Sequence, residues 1–323
     1  MKEKKLISLI KNSISPLASA YIGDDAAHIK ASLEASGLLV STDALVEGIH
    51  FLSTMQPYYL GWKTAAVNIS DIAAMGGRPK YITLAASLPE KCYEDWVKEF
   101  LRGINECCEE YKVLLIGGDL TASNSIYLCA TIVGEVIDGR IAKRSNAKPG
   151  HKIIVTGEFG SSAAGLWLLQ NKQMGNPQYS KLIEAHQKPR PKVNEGFNLI
   201  HKLSANDSVS MMDSSDGLLD CLTQIAEQSK VKMSVDFERI PVDSNLLACS
   251  AEAGIEPKHW IIAGGEDYQL VATTDQVFDE TKWKEIGFVS EGNGVEIFKN
   301  NEKLDLSIIK TFEHFKTVMN RGF

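Results

Sequence analysis

The sequence predicts a two-domain α+β protein, and three observations carry that prediction. The chain has 323 residues, too many for one ordinary small domain and enough for two with full cores. Strand-like and helix-like stretches alternate through the first half with strands in excess, which calls for a mixed or antiparallel sheet with helices on one side. A turn dipeptide, Pro149-Gly150, then precedes a fresh apolar run, so a second domain starts near it. The expected domains are 1–147 and 148–323.

The elements follow in order. Glu3 to Asn12 reads as a short helix and Gly37 to Leu45 as a strand. Tyr58 to Met75 has helical character, with Leu60, Ala65, Val67, Ile69, Ile72 and Ala73 as its apolar positions, and Gly76-Gly77 with Pro79 ends it. Tyr81 to Ser87 is a strand. Tyr93 to Tyr111 is a long amphipathic helix with Trp96, Phe100, Leu101 and Ile104 on one stripe, and Val113 to Ile116 is a buried strand followed directly by Gly117-Gly118-Asp119. Ile126 to Ile137 and the residues from Arg140 onward read as a hairpin turned at Asp138-Gly139. Beyond the boundary, Lys152 to Thr156 is a strand and Ser161 to Gln170 a helix. Lys188-Pro189-Arg190-Pro191 breaks the next helix, and helical period resumes from Val193 to Leu203. Val209 to Met212 leads into Asp213-Ser214-Ser215-Asp216-Gly217 and a helix to Gln228. Strands at Met233 to Phe237, Gln269 to Thr273 and Ile286 to Ser290 complete an α+β second half.

Bulk composition excludes several classes of function. Hydrophobic residues make up 44% and charged residues 23%, an ordinary globular balance without repeats or low-complexity blocks. The net charge is -7 and no basic cluster carries interleaved aromatics, so nucleic acid is not an expected partner. No stretch reaches the about 20 apolar residues of a membrane helix, and Leu6 to Ile10 is too short for a secretory core, which points to a cytoplasmic protein. The six cysteines show neither C-x-x-C nor zinc spacing and read as reduced, mostly buried thiols. Asn68-Ile69-Ser70 and Asn206-Asp207-Ser208 match a glycosylation pattern that carries no weight without a secretory signal.

The aspartates are the most informative residues. Asp24, Asp25, Asp43, Asp71, Asp119, Asp213 and Asp216 sit where glycine turns or small residues meet apolar runs. Short carboxylates at strand ends and helix starts suit hard divalent cations, which take oxygen ligands. Two carboxylates about 4 Å apart repel by roughly 4 kcal/mol at an effective dielectric of 20, so a cluster requires cations or protons. Each aspartate taken alone equally fits a helix cap or a turn. Asp71 stands in the last turns of its helix, where the dipole disfavours an anion unless a cation is present. Several magnesium ions and phosphate chemistry are the expectation, since magnesium bridges phosphate oxygens.

The common nucleotide signatures are missing. There is no G-x-x-x-x-G-K-[ST], Gly157 to Gly165 lacks the lysine, no G-x-G-x-x-G follows a strand, and Asp213 to Asp216 has the wrong spacing for a calcium loop. Serine–histidine catalysis lacks a G-x-S-x-G elbow. His50 fits a substrate contact or a polar loop residue. Arg144 reads first as a solvated loop charge, although a guanidinium fork also binds phosphate bidentately. Glu266-Asp267 could hold a cationic group or a metal, or end a turn before a strand. His28, His186 and His314 read as surface or packing residues.

Taken together, Gly23-Asp24-Asp25-Ala26, Ser41-Thr42-Asp43, Gly48-Ile49-His50-Phe51, the segment Ala66 to Gly76, Ile116-Gly117-Gly118-Asp119, Ser214-Ser215-Asp216-Gly217-Leu218 and Gly264-Gly265-Glu266-Asp267-Tyr268 resemble the thiamine-monophosphate kinase family. That family shares the aminoimidazole-ribonucleotide synthetase fold, and the resemblance spans almost the whole chain. It implies two α+β domains, a homodimer joined through N-terminal strands in a barrel, and an active site by that interface. It also implies ATP-dependent phosphorylation of thiamine monophosphate to thiamine diphosphate by in-line transfer without a phosphoenzyme. By resemblance, Asp25, Ser41, Thr42, Asp43, Asp71, Asp119, Asp213 and Asp216 hold several magnesium ions. Gly118, Asp119, Arg144 and Ser215 contact ATP, and His50, Glu266 and Phe312 contact the thiamine phosphate. Phe312 fits stacking on a flat cationic ring and equally C-terminal packing. One departure is Ser214, where relatives more often carry an aliphatic residue, which leaves open which hydroxyl meets ATP.

Two rivals share the fold. A selenophosphate synthetase is expected to carry a reactive cysteine in a glycine-rich N-terminal segment, yet residues 1–22 contain neither cysteine nor glycine. An aminoimidazole-ribonucleotide synthetase is not expected to carry Gly-Ile-His-Phe beside Thr42-Asp43 in this form. A non-catalytic magnesium-nucleotide sensor would keep the aspartates without transferring phosphate.

Overall fold

In the computed structural model of the chain, the described residues are 12–19, 35–90, 93–173, 175–202, 208–309 and 311. The chain divides into two compact units, Met1–Ile141 and Ala142–Phe323. The helix expected at Glu3 to Asn12 falls almost wholly outside the described residues, as do Asp24, Asp25, His28, Phe312 and His314.

The first unit is built on strands β1 (Ala35–Val46), β2 (Arg78–Pro89), β3 (Leu114–Ser123) and β4 (Tyr127–Ile137), ordered β1-β4-β2-β3. β4 runs antiparallel to both β1 and β2, whereas β2 and β3 are parallel and joined through a helix, as parallel neighbours must be. Two helices, α1 (Pro57–Ala74) and α2 (Glu94–Tyr111), cover one face. Proline is harmless in the first turn of α1, where its missing N–H has no partner to lose. Past the end of α1, the Gly76 N–H reaches Ala73 O at 2.9 Å and the Gly77 N–H reaches Ile72 O at 3.0 Å.

Nearly every side of α1 is buried, because it lies between the sheet and α2. The two helices touch backbone to backbone at a pair of glycines. A Cβ on Gly61 would lie 1.9 Å from Phe100 O, and one on Gly103 would lie 1.9 Å from Tyr58 O. Only glycine fits such an approach. α2 is amphipathic as expected, with Val97, Phe100, Leu101 and Ile104 inward and Arg102 outward, paired to Glu99 at 2.7 Å and Glu106 at 2.9 Å. The helix-covered sheet face is lined by Ile82, Leu84, Ala86, Leu128, Ala130 and Ile132, all buried. Strand alternation sends their neighbours to the opposite face, where Leu38, Val40 and Tyr127 are 59%, 66% and 42% exposed.

Two local expectations are corrected. Gly117-Gly118-Asp119 does not follow the strand but lies within it, paired with Thr83, Leu84 and Ala85 of β2, because parallel pairing continues to Ser123. Asp138-Gly139 does turn the chain, with φ of 54° and 67° and an Arg140 N–H to Ile137 O bond of 3.1 Å. No strand follows, since β4 already has β1 and β2 on its two sides and offers no free edge.

The second unit holds a seven-stranded sheet of β5 (Lys152–Val155), β6 (Ser210–Asp213), β7 (Lys232–Asp236), β8 (Leu270–Thr274), β9 (Lys284–Ser290), β10 (Gly294–Lys299) and β11 (Glu302–Lys303). Its order is β11-β10-β7-β9-β5-β8-β6, parallel only between β10 and β7. Helices α3 (Ser161–Gln170), α4 (Ser180–Gln187), α5 (Val193–His201), α6 (Leu218–Ser229), α7 (Ser244–Ala253) and α8 (Pro257–Ala263) complete it. Ile153, Val155, Leu168, Leu222, Val235 and Trp260 belong to one continuous core. Residues 142–147 are held by this unit: Ala147 joins its core, and the Ser210 and Ser229 hydroxyls donate to Arg144 O at 3.0 and 2.7 Å. The five cysteines among the described residues are free thiols, four of them buried.

Candidate active site

In the second unit, β6 ends at Asp213 and the chain turns through Ser214 to Gly217 before α6 begins. This turn is stitched to the segment before β8. Ser214 N–H donates to Gln269 O at 2.8 Å, Gln269 N–H to Ser214 Oγ at 3.0 Å, Glu266 N–H to Ser215 O at 2.7 Å and Tyr268 N–H to Ser214 O at 3.2 Å. Those bonds hold Glu266 and Tyr268 in left-handed backbone, at φ of 65° and 50°. Such conformations cost of order 1–3 kcal/mol each and persist where the surroundings over-determine them. Ser214 is fully buried with its hydroxyl accepting from Gln269, whereas Ser215 and Asp216 are half-buried and Asp213 is buried. The side chain with a reachable hydroxyl in this turn is therefore Ser215.

Asp267, beside Glu266, turns inward. Only 7% exposed, it accepts the N–H groups of Gly160 at 2.6 Å and Ser162 at 2.9 Å, closing the N-terminus of α3 where the helix dipole favours an anion. Burial nevertheless pushes its carboxyl up to about 7, those two N–H bonds act against the rise, and the charges of Glu266 and Glu158 add to it. His186, expected only as a surface or packing residue, is buried on α4 with Nδ1 3.1 Å from Ser162 Oγ and 3.4 Å from Glu266 Oε2. Neither His186 nor Asp267 carries a local signal for this role, because the partners come from distant segments.

Arg144 begins a short 3-10 helix, Arg144–Asn146, and its Nη1 donates to Gln224 Oε1 on α6. Gln224 in turn donates to Asp220 Oδ2 at 2.7 Å. The guanidinium is thus tethered to the helix that follows the Asp213–Gly217 turn.

In the first unit, Ser41 Oγ donates to Asp71 Oδ2 at 2.5 Å, joining β1 to the last turn of α1. The edge of β1 is further covered by Asn68, which accepts the Asp43 N–H at 3.2 Å and donates to Thr64 O at 3.0 Å. Thr42 lies on the other sheet face, where its Oγ1 donates to Ala130 O at 2.8 Å and accepts from Thr131 Oγ1 at 3.1 Å. His50 closes its own turn. Its Nδ1 accepts the Val46 N–H at 3.0 Å, and its carbonyl accepts from the fully buried Lys63 at 3.3 Å. Gly118 packs so tightly on β2 that a Cβ would lie 1.9 Å from Leu84 O. Asp119 is exposed on β3.

Within this unit the structure joins Ser41 to Asp71 but does not gather Asp43, Asp71 and Asp119 at one point. β1 and β3 are opposite edges of the sheet, and Asp119 pairs with Ala85 in the residue row next to that of Asp43. Among the described residues, no three His, Cys, Asp or Glu side chains form a metal-holding group. The donor chemistry still suits magnesium, which binds through one or two carboxylates plus phosphate oxygens and keeps several waters rather than filling an all-protein cage. Ser41 with Asp71, and Asp213 with Asp216, supply hard oxygen donors of that kind.

Residues 23–136 match the family model described as AIR synthase related protein, N-terminal domain, and residues 148–303 match its C-terminal domain. The thiamine-monophosphate kinase of Aquifex aeolicus is 34% identical over 317 residues, covering 96% of this chain and 97% of that protein. That of Bacillus subtilis is 35% identical, covering 91% and 93%. The solved structure of AaThiL complexed with AMPPCP and TMP superposes with a TM-score of 0.79 at 34% identity, covering 98% of this chain and 99% of that one. The hydrogenase maturation protein HypE in complex with ATP, 17% identical with a TM-score of 0.72 over 94% of each chain, shares the fold alone.

Proposed function

The chain belongs to the thiamine-monophosphate kinase family, within the AIR synthase related proteins, and from that membership we propose that it transfers the terminal phosphoryl group of ATP to thiamine monophosphate. The products are thiamine diphosphate and ADP. The observation that carries this function is the stitching of Asp213–Gly217 to Gly264–Gln269, which sets Ser215, Asp216 and Glu266 on one backbone scaffold. A related protein complexed with AMPPCP and TMP supports the same pair of substrates.

Phosphoryl transfer asks the protein for positioning and charge neutralisation rather than covalent help. The acceptor is a phosphate oxygen, already nucleophilic, so no general base is required. Ser215, Gly118, Asp119 and Arg144 are assigned to ATP. Glu266, His50 and Phe312, of which Phe312 lies outside the described residues, are assigned to the thiamine phosphate. Several magnesium ions, shared out among Asp25, Ser41, Thr42, Asp43, Asp71, Asp119, Asp213 and Asp216 rather than held at one point, would supply charge neutralisation at the phosphate oxygens.

The exposed apolar face of the first unit supports a homodimer, because Leu38, Val40 and Tyr127 on an uncovered sheet suit a second copy of the same sheet. No helix among the described residues is long and apolar enough to cross a membrane. The test is direct: purified protein with ATP, magnesium and thiamine monophosphate accumulates the diphosphate, and Asp71→Asn or Asp119→Asn abolishes turnover with the fold intact. Nucleotide binding without product would identify a sensor instead.

A further inference from the structure

We propose that His186 is a positioning residue that fixes the Glu266 carboxylate for the thiamine phosphate. It builds on the assignment of Glu266 to that substrate and extends it to a residue of no evident local signature. Glu266 stands in left-handed backbone pinned by its N–H to Ser215, which places its Cα, and its long side chain takes its direction from the groups it touches.

His186 is one of those contacts. Its ring is buried on α4, and Nδ1 lies 3.4 Å from Glu266 Oε2. A carboxylate only accepts, so the ring form that suits this contact carries hydrogen on Nδ1. Ser162 braces the same nitrogen at 3.1 Å, and the Ser162 backbone N–H is held by Asp267 at 2.9 Å. One turn of α3 therefore serves as the common reference for both consecutive carboxylates, one directly and the other through His186. With Oε2 turned to the imidazole, Oε1 is presented in a fixed direction to a cationic ring or amino donor of the substrate.

The test is a double-mutant cycle in steady-state kinetics on the full chain with ATP and magnesium. His186→Leu, which keeps an apolar filling, is expected to raise KM for thiamine monophosphate about tenfold, the scale of one lost hydrogen bond to a charged group, with KM for ATP unchanged. His186→Asn, whose amide N–H reaches the position of Nδ1, restores most of the loss. In a Glu266→Ala background His186→Leu has no further effect. Ser162→Ala removes the brace but leaves the N–H to Asp267, and gives a smaller rise that also vanishes in Glu266→Ala. An equal rise in both backgrounds, or an unchanged KM in His186→Leu, overturns the role of His186 while leaving Glu266 in place. Should His186→Leu fail to fold, the same cycle run with Ser162→Ala and His186→Asn decides the matter. If Glu266→Ala alone leaves KM for thiamine monophosphate untouched, the assignment of Glu266 falls, and this inference with it.

Discussion

Titrating Asp267 should make the second unit lose stability as pH rises. In the folded chain burial lifts this carboxyl from 3.8 to about 7. The unfolded chain releases the proton near the lower value, so between roughly pH 4 and pH 7 the folded state binds more protons than the unfolded state. The stability associated with the protonated form is fully present below the unfolded pKa and is lost as pH climbs through the folded one. At 1.36 kcal/mol per unit, a shift of this size corresponds to about 4 kcal/mol. For a unit of this size that is a melting-temperature change of roughly 8–16 °C. The control is Asp267→Asn, which cannot ionise and sets an amide N–H against one of the two backbone N–H groups. It should be the less stable protein at pH 4–5, and the gap should close or reverse by pH 8. Urea midpoints followed by tryptophan fluorescence from pH 4 to 8 read this difference directly. A wild-type-minus-variant difference that stays constant within about 1 kcal/mol over that range would show that the two N–H bonds fully offset burial, and would refute the reasoning.

The remaining predictions are shorter. Gly118→Ala must force β2 and β3 apart, because its Cβ would stand 1.9 Å from Leu84 O; a loss of at least about 1–3 kcal/mol should appear in thermal unfolding with or without ATP. Val40→Asp, placed on the exposed sheet face, should dissociate the proposed dimer to monomer in light scattering while leaving the monomer's circular dichroism unchanged. Magnesium with a nonhydrolysable nucleotide at a hundredfold excess over its Kd should stabilise the fold by about 2.7 kcal/mol, and Asp216→Asn should reduce that gain.

Much of the fold was legible because the long elements carry strong local patterns. The stripe of α2 and the glycine stop of α1 need nothing beyond their own windows, and Ser161–Gln170 was bounded by its sequence alone. The errors arose where pairing partners decide the outcome. Asp138-Gly139 has the backbone of a hairpin turn, but the strand before it is already paired on both sides. Gly117-Gly118-Asp119 looks like a strand end, yet β2 carries the ladder through it. Helices α7 and α8 went unread despite local signals, the Asp243 cap accepting Asn245 N–H at 2.7 Å and Pro257 opening the second. In β10 only Ile297 is buried, so its pattern is too thin to separate strand from loop. At the site, the aspartates were visible as a set, but not that strand alternation would turn Thr42 away from Ser41, or that Lys63 would be buried beneath His50.

The pair Glu266-Asp267 shows why counting acidic residues does not assign them. Both follow the same two glycines, and composition gives them equal claims on a cation. Left-handed backbone at Glu266 and again at Tyr268 splits them: Asp267 is carried into the N-terminus of α3, and Glu266 is left 22% exposed at its side chain. The inward carboxylate fixes the loop, and the outward one is the carboxylate proposed for the thiamine phosphate. An interchange of the two, Glu266→Asp with Asp267→Glu, preserves charge and composition but lengthens the anchor inside a packed helix end and shortens the reach outside it. If charge alone mattered the interchange would be silent. On the geometry described it should lower stability and raise KM for thiamine monophosphate together, because the anchor and the contact share one short stretch of strained chain.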